Sequence, residues 1–376
     1  TNRIGVRPLS PAEAARGPGG GTGPDPQPPW TVVKAKTQGV TPGFTIEDSR
    51  GDRWIVKFDP PEFRGMSSAA GVITNRILWA AGYNVPDDDV VYFRRDQLVM
   101  SPKVKIPNEF GELRPMTQDD LDTILDRVEP DRDAALRAIA SKFLSGAPVG
   151  PFDNQGRRED DANDRIGHQD RRELRGLREL ASWLNHFDLK QQNSLDMWVE
   201  EDGRHFLRHY LIDFASTLGT GGTGPVPVYG HEYQVDGLAI FGRLFTVGLP
   251  EDPWRRLRLP EELPEVGYLE NEVYRADGFK PQYHNSAFAN TTDRDSYWAA
   301  KIISAFTDEH LRAIVDAGRY ESPDAAEYVT RVLAARRDRI AHHWFDRVPP
   351  LDFFRLEKNG IRWSDLIAAF CLPHLG

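Results

Sequence analysis

Residues 185–196 read NHFDLKQQNSLD. His186, Asp188, Lys190 and Asn193 set an imidazole, a carboxylate, an ammonium and an amide close together on a short span. Ahead of it, QDRRELRGLRELASWLNHFD carries Leu174, Leu177, Leu180 or Ala181, and Leu184 on one helical face. Behind it, SLDMWVEEDG and RHFLRHYLIDF read as two short strands about a polar turn. The stretch is a polar junction between a helix and a hairpin. It is either a solvated helix end or a loop on which chemistry is mounted, and its neighbours decide which.

The second strand ends in YLIDFASTLG, so Asp213 closes an apolar run and a glycine-rich segment, STLGTGGTGPVPVYG, follows. Far upstream, WTVVKAKTQGVTPGFTIEDSRGDRWIVKFD gives strand-like runs at 31–37, 44–48 and 53–59. A loop containing Gly39 and Gly43 and the turn DSRGD separate them, which predicts an antiparallel meander. Alternation along the third run puts Ile55 and Lys57 on one face. MSSAAGVITNRILWAAG then reads as a helix capped by Ser67 or Ser68 and stopped by Gly82. DDVVYFRRDQLVM returns to strand, and TQDDLDTILDRV is a helix. ALRAIASKFLSGAPVGPF fits either a helix end or a strand. Further on, SPDAAEYVTRVLAARRDRIAHHWF is a long helix with Ser322 as cap and Pro323 at its first position.

Phosphoryl transfer has a use for each group in this order. An aspartate orients the attacking hydroxyl, a lysine beside it offsets the charge of the moving phosphoryl group, and an asparagine and a second aspartate hold Mg²⁺. A lysine on an inward strand position anchors the α and β phosphates. The spacing H-x-D-x-K-x-x-N, followed by D-F-A and preceded by Lys57, resembles the protein-kinase-like superfamily over roughly residues 31–220. LIDFASTLG is also similar to the metal-binding segment of phosphatidylinositol kinases and HipA-type kinases. RILWAAGYNVP and NHFDLKQQNSLD look like an atypical bacterial branch.

The resemblance implies an α+β, bilobal fold, with an antiparallel β-rich N-lobe at 31–147 and a mainly helical C-lobe at 148–376 that ends in a helical extension. It implies ATP and Mg²⁺, with Mn²⁺ as a substitute, bound between the lobes. Asp188 and Lys190 are the expected catalytic pair, Asn193 and Asp213 the metal ligands, and Lys57 the phosphate anchor. The Gly39/Gly43 turn would cover the phosphates, although it is not a G-x-G-x-x-G loop. One departure matters. The family pairs its lysine with a glutamate on the following helix, near Gly71 here, and SSAAGVITNRILWAAG holds no acid. Glu62 or Glu47 would have to substitute, or the chain is a pseudokinase acting as a nucleotide-binding or interaction scaffold. The acceptor, whether protein, lipid or small molecule, is not readable.

The bulk numbers set bounds on this reading. A chain of 376 residues suggests two lobes, and 39% hydrophobic residues with nine tryptophans can build a core. Asp and Glu outnumber Lys and Arg by 57 to 47, a net charge of −10, which argues against general nucleic-acid binding. The single cysteine, Cys371, excludes an intramolecular disulfide and a Cys-rich zinc site. No apolar run approaches the ~20 residues of a membrane span. The chain does not begin with methionine, so its compartment, cytoplasmic or exported, stays open.

Other features read as structural. The Pro/Gly-rich residues 1–30 suggest a flexible leader. GRREDDANDR reads as a solvated or substrate-positioning loop. Arg171, Arg175 and Arg178 read as a charged solvent face paired with Glu173 and Glu179. His205 and His209 sit in a strand-like run with no glutamate between them, unlike a zincin. No G-x-S-x-G elbow is present.

Overall fold

The computed structural model describes residues 9–36, 41–131, 133–245, 252–260 and 262–370. Gly39 and Cys371 lie outside the described residues. The chain enters through a short helix, α1 (Pro11–Arg16). Composition had pointed to a leader without structure. Instead, Ser10 and Glu13 form a capping box, and Leu9 and Ala14 are buried. The Ala15 carbonyl accepts from Arg76, and the Leu9 carbonyl is 2.7 Å from His310 Nε2. A few anchors outweigh the average composition of the stretch.

The expected meander is present as β1 (Trp30–Ala35), β2 (Gly43–Glu47) and β3 (Arg53–Lys57). Then follow α2 (Met66–Ala81), β4 (Asp88–Phe93) and β5 (Leu98–Met100). A small hairpin, β6 (Lys105–Pro107) and β7 (Leu113–Pro115), leads to α3 (Gln118–Leu125). The ambiguous run is a strand, β8 (Leu136–Lys142), paired on both sides. The sheet order is β4-β8-β3-β2-β1-β5, antiparallel except for β1 with β5. One face buries Trp30, Phe44, Trp54, Phe58 and Phe93 with Leu121 and Leu125 of α3.

The other face carries α2, and all of its 16 residues but Trp79 are buried. Neither Ser67 nor Ser68 caps it. The cap position is Gly65, and the Asp59 carboxylate just past β3 accepts from Gly65 N–H at 2.9 Å and Ser68 N–H at 2.7 Å. A negative group over the first turn is where the helix dipole favours one. Ala70, Ile73 and Ile77 pack into the same core as the later helices, so α2 joins the two parts of the molecule.

The second part begins with β9 (Ala147–Gly150) and α4 (Arg172–Trp183). The hairpin β10 (Ser194–Glu201) and β11 (Arg204–Leu211) pairs with β9 in a three-stranded sheet. Helices α5 (Gly237–Phe245), α6 (Ser286–Ala289), α7 (Asp293–Ser304), α8 (Asp308–Ala317) and α9 (Pro323–Arg347) follow. The chain ends in a hairpin, β12 (Leu351–Glu357) and β13 (Gly360–Asp365), and a last turn, α10 (Leu366–Ala369). Trp183, Leu180, Phe306, Ile314 and Leu333 centre this core. The architecture is therefore α+β, a β-rich part followed by a mainly helical one. Among the described residues no helix is long and apolar enough to cross a membrane.

Candidate active site

Helix α4 stops at Leu184, and Asn185 adopts φ +45°, the left-handed turn-out common after helices. That reversal sends His186 inward, where it is 1% exposed and lies edge-on to Phe214 at 5.8 Å. Burial pushes its pKa down to about 4, against the opposing pull of Asp213 and a hydrogen bond to the Ser216 backbone. The imidazole is thus neutral at neutral pH and serves as packing. Asp188 comes next. Lys190 Nζ lies 3.0 Å from its Oδ1, and Asn193 Nδ2 donates to its carbonyl at 2.7 Å and its Oδ2 at 3.0 Å. The loop folds around one carboxylate.

The hairpin brings the second carboxylate alongside. Ser194 pairs with Leu211, and Ile212 N–H donates to the Asn193 carbonyl at 3.0 Å. Asn193 and Asp213 therefore flank the same open end of the ladder. Asp213 holds φ +64°, an uncommon conformation for a residue with a Cβ and one that clusters at functional sites. Ala215 is not among the positive-φ residues, so D-F-A needs no glycine at its third position. Phe214 is buried, and Thr217 bonds its carbonyl at 2.8 Å while Thr74 of α2 bonds the Thr217 hydroxyl at 2.8 Å.

Across the cleft, Lys57 Nζ sits 2.8 Å from Asp213 Oδ1. The Asp213 side chain keeps 43% of its surface exposed. Its surroundings push its pKa up, but Lys57 first, then Lys36 and Lys190, outweigh that and hold it below the ordinary carboxylate value. It stands as an anion among three ammonium groups. Neither proposed substitute for the missing helix acid is committed to Lys57. Glu47 pairs with Arg53 at 3.1 Å, and Glu62 sits exposed in the turn before α2. At Gly71, near where an acid was expected, a Cβ would come 2.7 Å from Ile139 Cδ1 and 3.9 Å from the backbone of Phe214 and Ala215. Helix α2 passes close to the Asp213 segment at Gly71, and Ile139 Cδ1 crowds the place where a side chain would start.

Lys36 escaped the sequence reading. It follows β1, and its Nζ donates to the Thr41 carbonyl at 2.6 Å. A strand-end lysine ordinarily faces solvent, and only the register across β1, β2 and β3 reveals that it faces Asp213. Asp88 of β4 was missed too. It is 2% exposed, and burial pushes its carboxyl up to about 7.

Other sequence candidates resolve into local pairs. In the acidic loop Arg158 meets Asp196 at 2.9 Å, and Asp164 takes His168 at 2.7 Å and Arg171. Arg175 reaches Asp295 at 2.8 Å. Glu179 is not on a solvent face. It is fully buried and accepts from Arg178, Ser296 and Trp344 Nε1. His209 pairs with Asp196 at 2.6 Å, and His205 stacks on Trp198.

Among the described residues no group of three or more His, Cys, Asp or Glu side chains is arranged to hold a metal alone. Asn193 with Asp213 offers two oxygen ligands, which suits Mg²⁺. That ion keeps several waters and binds through one or two carboxylates plus phosphate oxygens.

No family model matches the chain, and no curated protein matches it. Solved structures do resemble it. A proinflammatory kinase, CtkA, of Helicobacter pylori is 12% identical, with 85% of this chain and 97% of that one covered at TM-score 0.44. Hydra Fam20 with sugar is 11% identical, with 87% of each chain covered at TM-score 0.40. The Golgi casein kinase with Mn/ADP bound is 11% identical, with 85% and 72% covered at TM-score 0.36. All lie below 0.5 in TM-score, so the functional reading rests on the cleft itself.

Proposed function

We propose that the chain is an ATP- and Mg²⁺-dependent phosphotransferase, an atypical kinase that moves the γ-phosphoryl group of ATP to a hydroxyl acceptor. The observation that carries this is the 2.8 Å contact of Lys57 with Asp213, which joins the sheet to the loop hairpin across one cleft. Lys57 takes the α and β phosphates. Asn193 and Asp213 hold the metal, Mg²⁺ or Mn²⁺, which when bound neutralises charge on the phosphate oxygens. Asp188, oriented by Asn193 and Lys190, receives the acceptor hydroxyl. Lys190 offsets charge on the transferred group. Gly43 lets the start of β2 approach the phosphates closely. Rate comes from positioning and from charges set in advance.

Thermal melts test the binding half of this reading. Millimolar Mg-ATP should raise the melting temperature of the wild type and leave Asp213→Ala unmoved. No shift for the wild type would sink the reading. Radiolabelled ATP then tests transfer, and Asp213→Ala that still moved phosphate would remove the metal assignment.

A second reading, a pseudokinase scaffold, draws on the helix without an acid, where Gly71 packs against Phe214 and Ala215. Mg-ATP binding without any γ-phosphoryl transfer or hydrolysis would favour it.

A further inference from the structure

The register of three adjacent strands puts two lysines in one row. Lys57 ends β3 directly opposite Gly43 of β2. One residue beyond the Ala35–Phe44 pair, Lys36 N–H donates to the Gly43 carbonyl at 3.1 Å. Residues opposite one another on neighbouring strands project from the same face. The row is Lys36, Gly43, Lys57, and its middle position cannot carry a side chain, since a Cβ there would lie 2.3 Å from the Val56 carbonyl oxygen. With strands about 4.8 Å apart, the two lysine Cα atoms stand ~10 Å apart across a bare strip of backbone.

Both ammonium groups bear on Asp213. Lys57 touches it, and Lys36 interacts with Lys57 and Asp213 while burial and the Lys57 charge pull its own pKa down. Two partly buried cations repel unless an anion lies between them. Lys190 is answered by Asp188, which leaves the single carboxylate of Asp213 facing both Lys36 and Lys57. A polyphosphate would match both, and the side-chain-free strip at Gly43 is where it fits.

Resting on the phosphotransferase reading, we propose that Lys36 is a second phosphate-binding residue, which with Lys57 clamps the polyphosphate of a nucleoside triphosphate across Gly43. The alternative is that Lys36 only ties the β1–β2 turn through the Thr41 carbonyl. Three variants separate these roles. Lys36→Gln keeps a donor for Thr41 but loses the charge. Lys36→Arg keeps both, and Lys36→Met keeps neither.

Titration calorimetry with Mg-ATP, with inorganic tripolyphosphate plus Mg²⁺, and with adenosine reads the result. Lys36→Gln and Lys36→Met should each weaken Mg-ATP and tripolyphosphate binding ten-fold or more. Adenosine binding should stay within about two-fold of wild type, and Lys36→Arg should recover most of the loss. If Lys36→Gln binds Mg-ATP and tripolyphosphate like the wild type, the proposal is overturned while the phosphotransferase reading stands, even where Lys36→Met fails to fold. If the wild type itself binds no Mg-ATP, both fall together.

Discussion

At the scale of single residues, the left-handed position in D-F-A belongs to Asp213 and not to Ala215. Alanine is therefore no defect there. Ala215→Gly should gain no activity and should lower stability by about 0.5–1 kcal/mol, because glycine adds freedom to the unfolded chain. Urea unfolding beside a turnover assay checks both halves. Asp188→Asn should cut transfer by about 10²–10⁴-fold with Mg-ATP affinity nearly intact, as for loss of a group that acts on a proton in the transition state. Asp88 gives a pH prediction. Its folded pKa of about 7 lies above its ordinary 3.8. Well below pH 3.8 both states hold the proton; near pH 4 the unfolded carboxyl has begun to ionise and little stability is lost, and as pH rises to about 7 the loss is completed. Asp88→Asn should melt above wild type at pH 8 and close to it at pH 4. An equal difference at both pH values would exclude ionisation as the cause. Asp188, Asn193, Lys57 and Asp213 were legible as candidates because their spacing along the chain carries the pattern. Lys36 and Asp88 were not, because what gives them meaning is which strand lies beside which.

At the scale of elements, α2 carries the largest surprise. Its stop at Gly82 was readable from the sequence, but its start at Met66 was not, since Gly65 stands at the cap and Asp59 reaches it from beyond the end of β3. Strand β8 was ambiguous for a related reason. It is paired between β3 and β4 and buried from Leu136 through Ala140, and a strand buried on both faces shows no alternation. Gly71 ties α2 to the Asp213 segment by close approach. Gly71→Ala meets only the movable tip of Ile139 and should stay within about 1 kcal/mol of wild type. Gly71→Leu overfills the contact and should cost about 1–3 kcal/mol or more, lowering Mg-ATP affinity with it. Chemical denaturation and calorimetry on the same variants would show whether the two losses travel together. A stable Gly71→Leu with normal binding would contradict the tight contact.

At the scale of the whole molecule, Arg137 of β8 binds the sheet to both α2 and the end of α8. Its guanidinium donates to the Ser68 hydroxyl at 2.9 Å and the Gly318 carbonyl at 2.7 Å, and lies 3.7 Å from Asp59. All of these groups are buried. Arg137→Met leaves Asp59 without its cation and should cost about 3–5 kcal/mol, read as a drop in the urea midpoint. No pattern along the chain marks this arginine, because its partners come from three separate segments.

The contact between Leu9 and His310 spans 301 residues. Local pairing can form as the chain emerges from a ribosome, but α1 has to wait for α8. Helix α1 is therefore among the last pieces to settle, and it seals the junction through which α2 is held. A chain ended after residue 306 would still contain Arg76, the partner of the Ala15 carbonyl. Even so, we predict that residues 9–17 of that shortened chain are cut by protease much faster than in the full chain. Equal protection in both would mean that α1 docks early, on α2 alone.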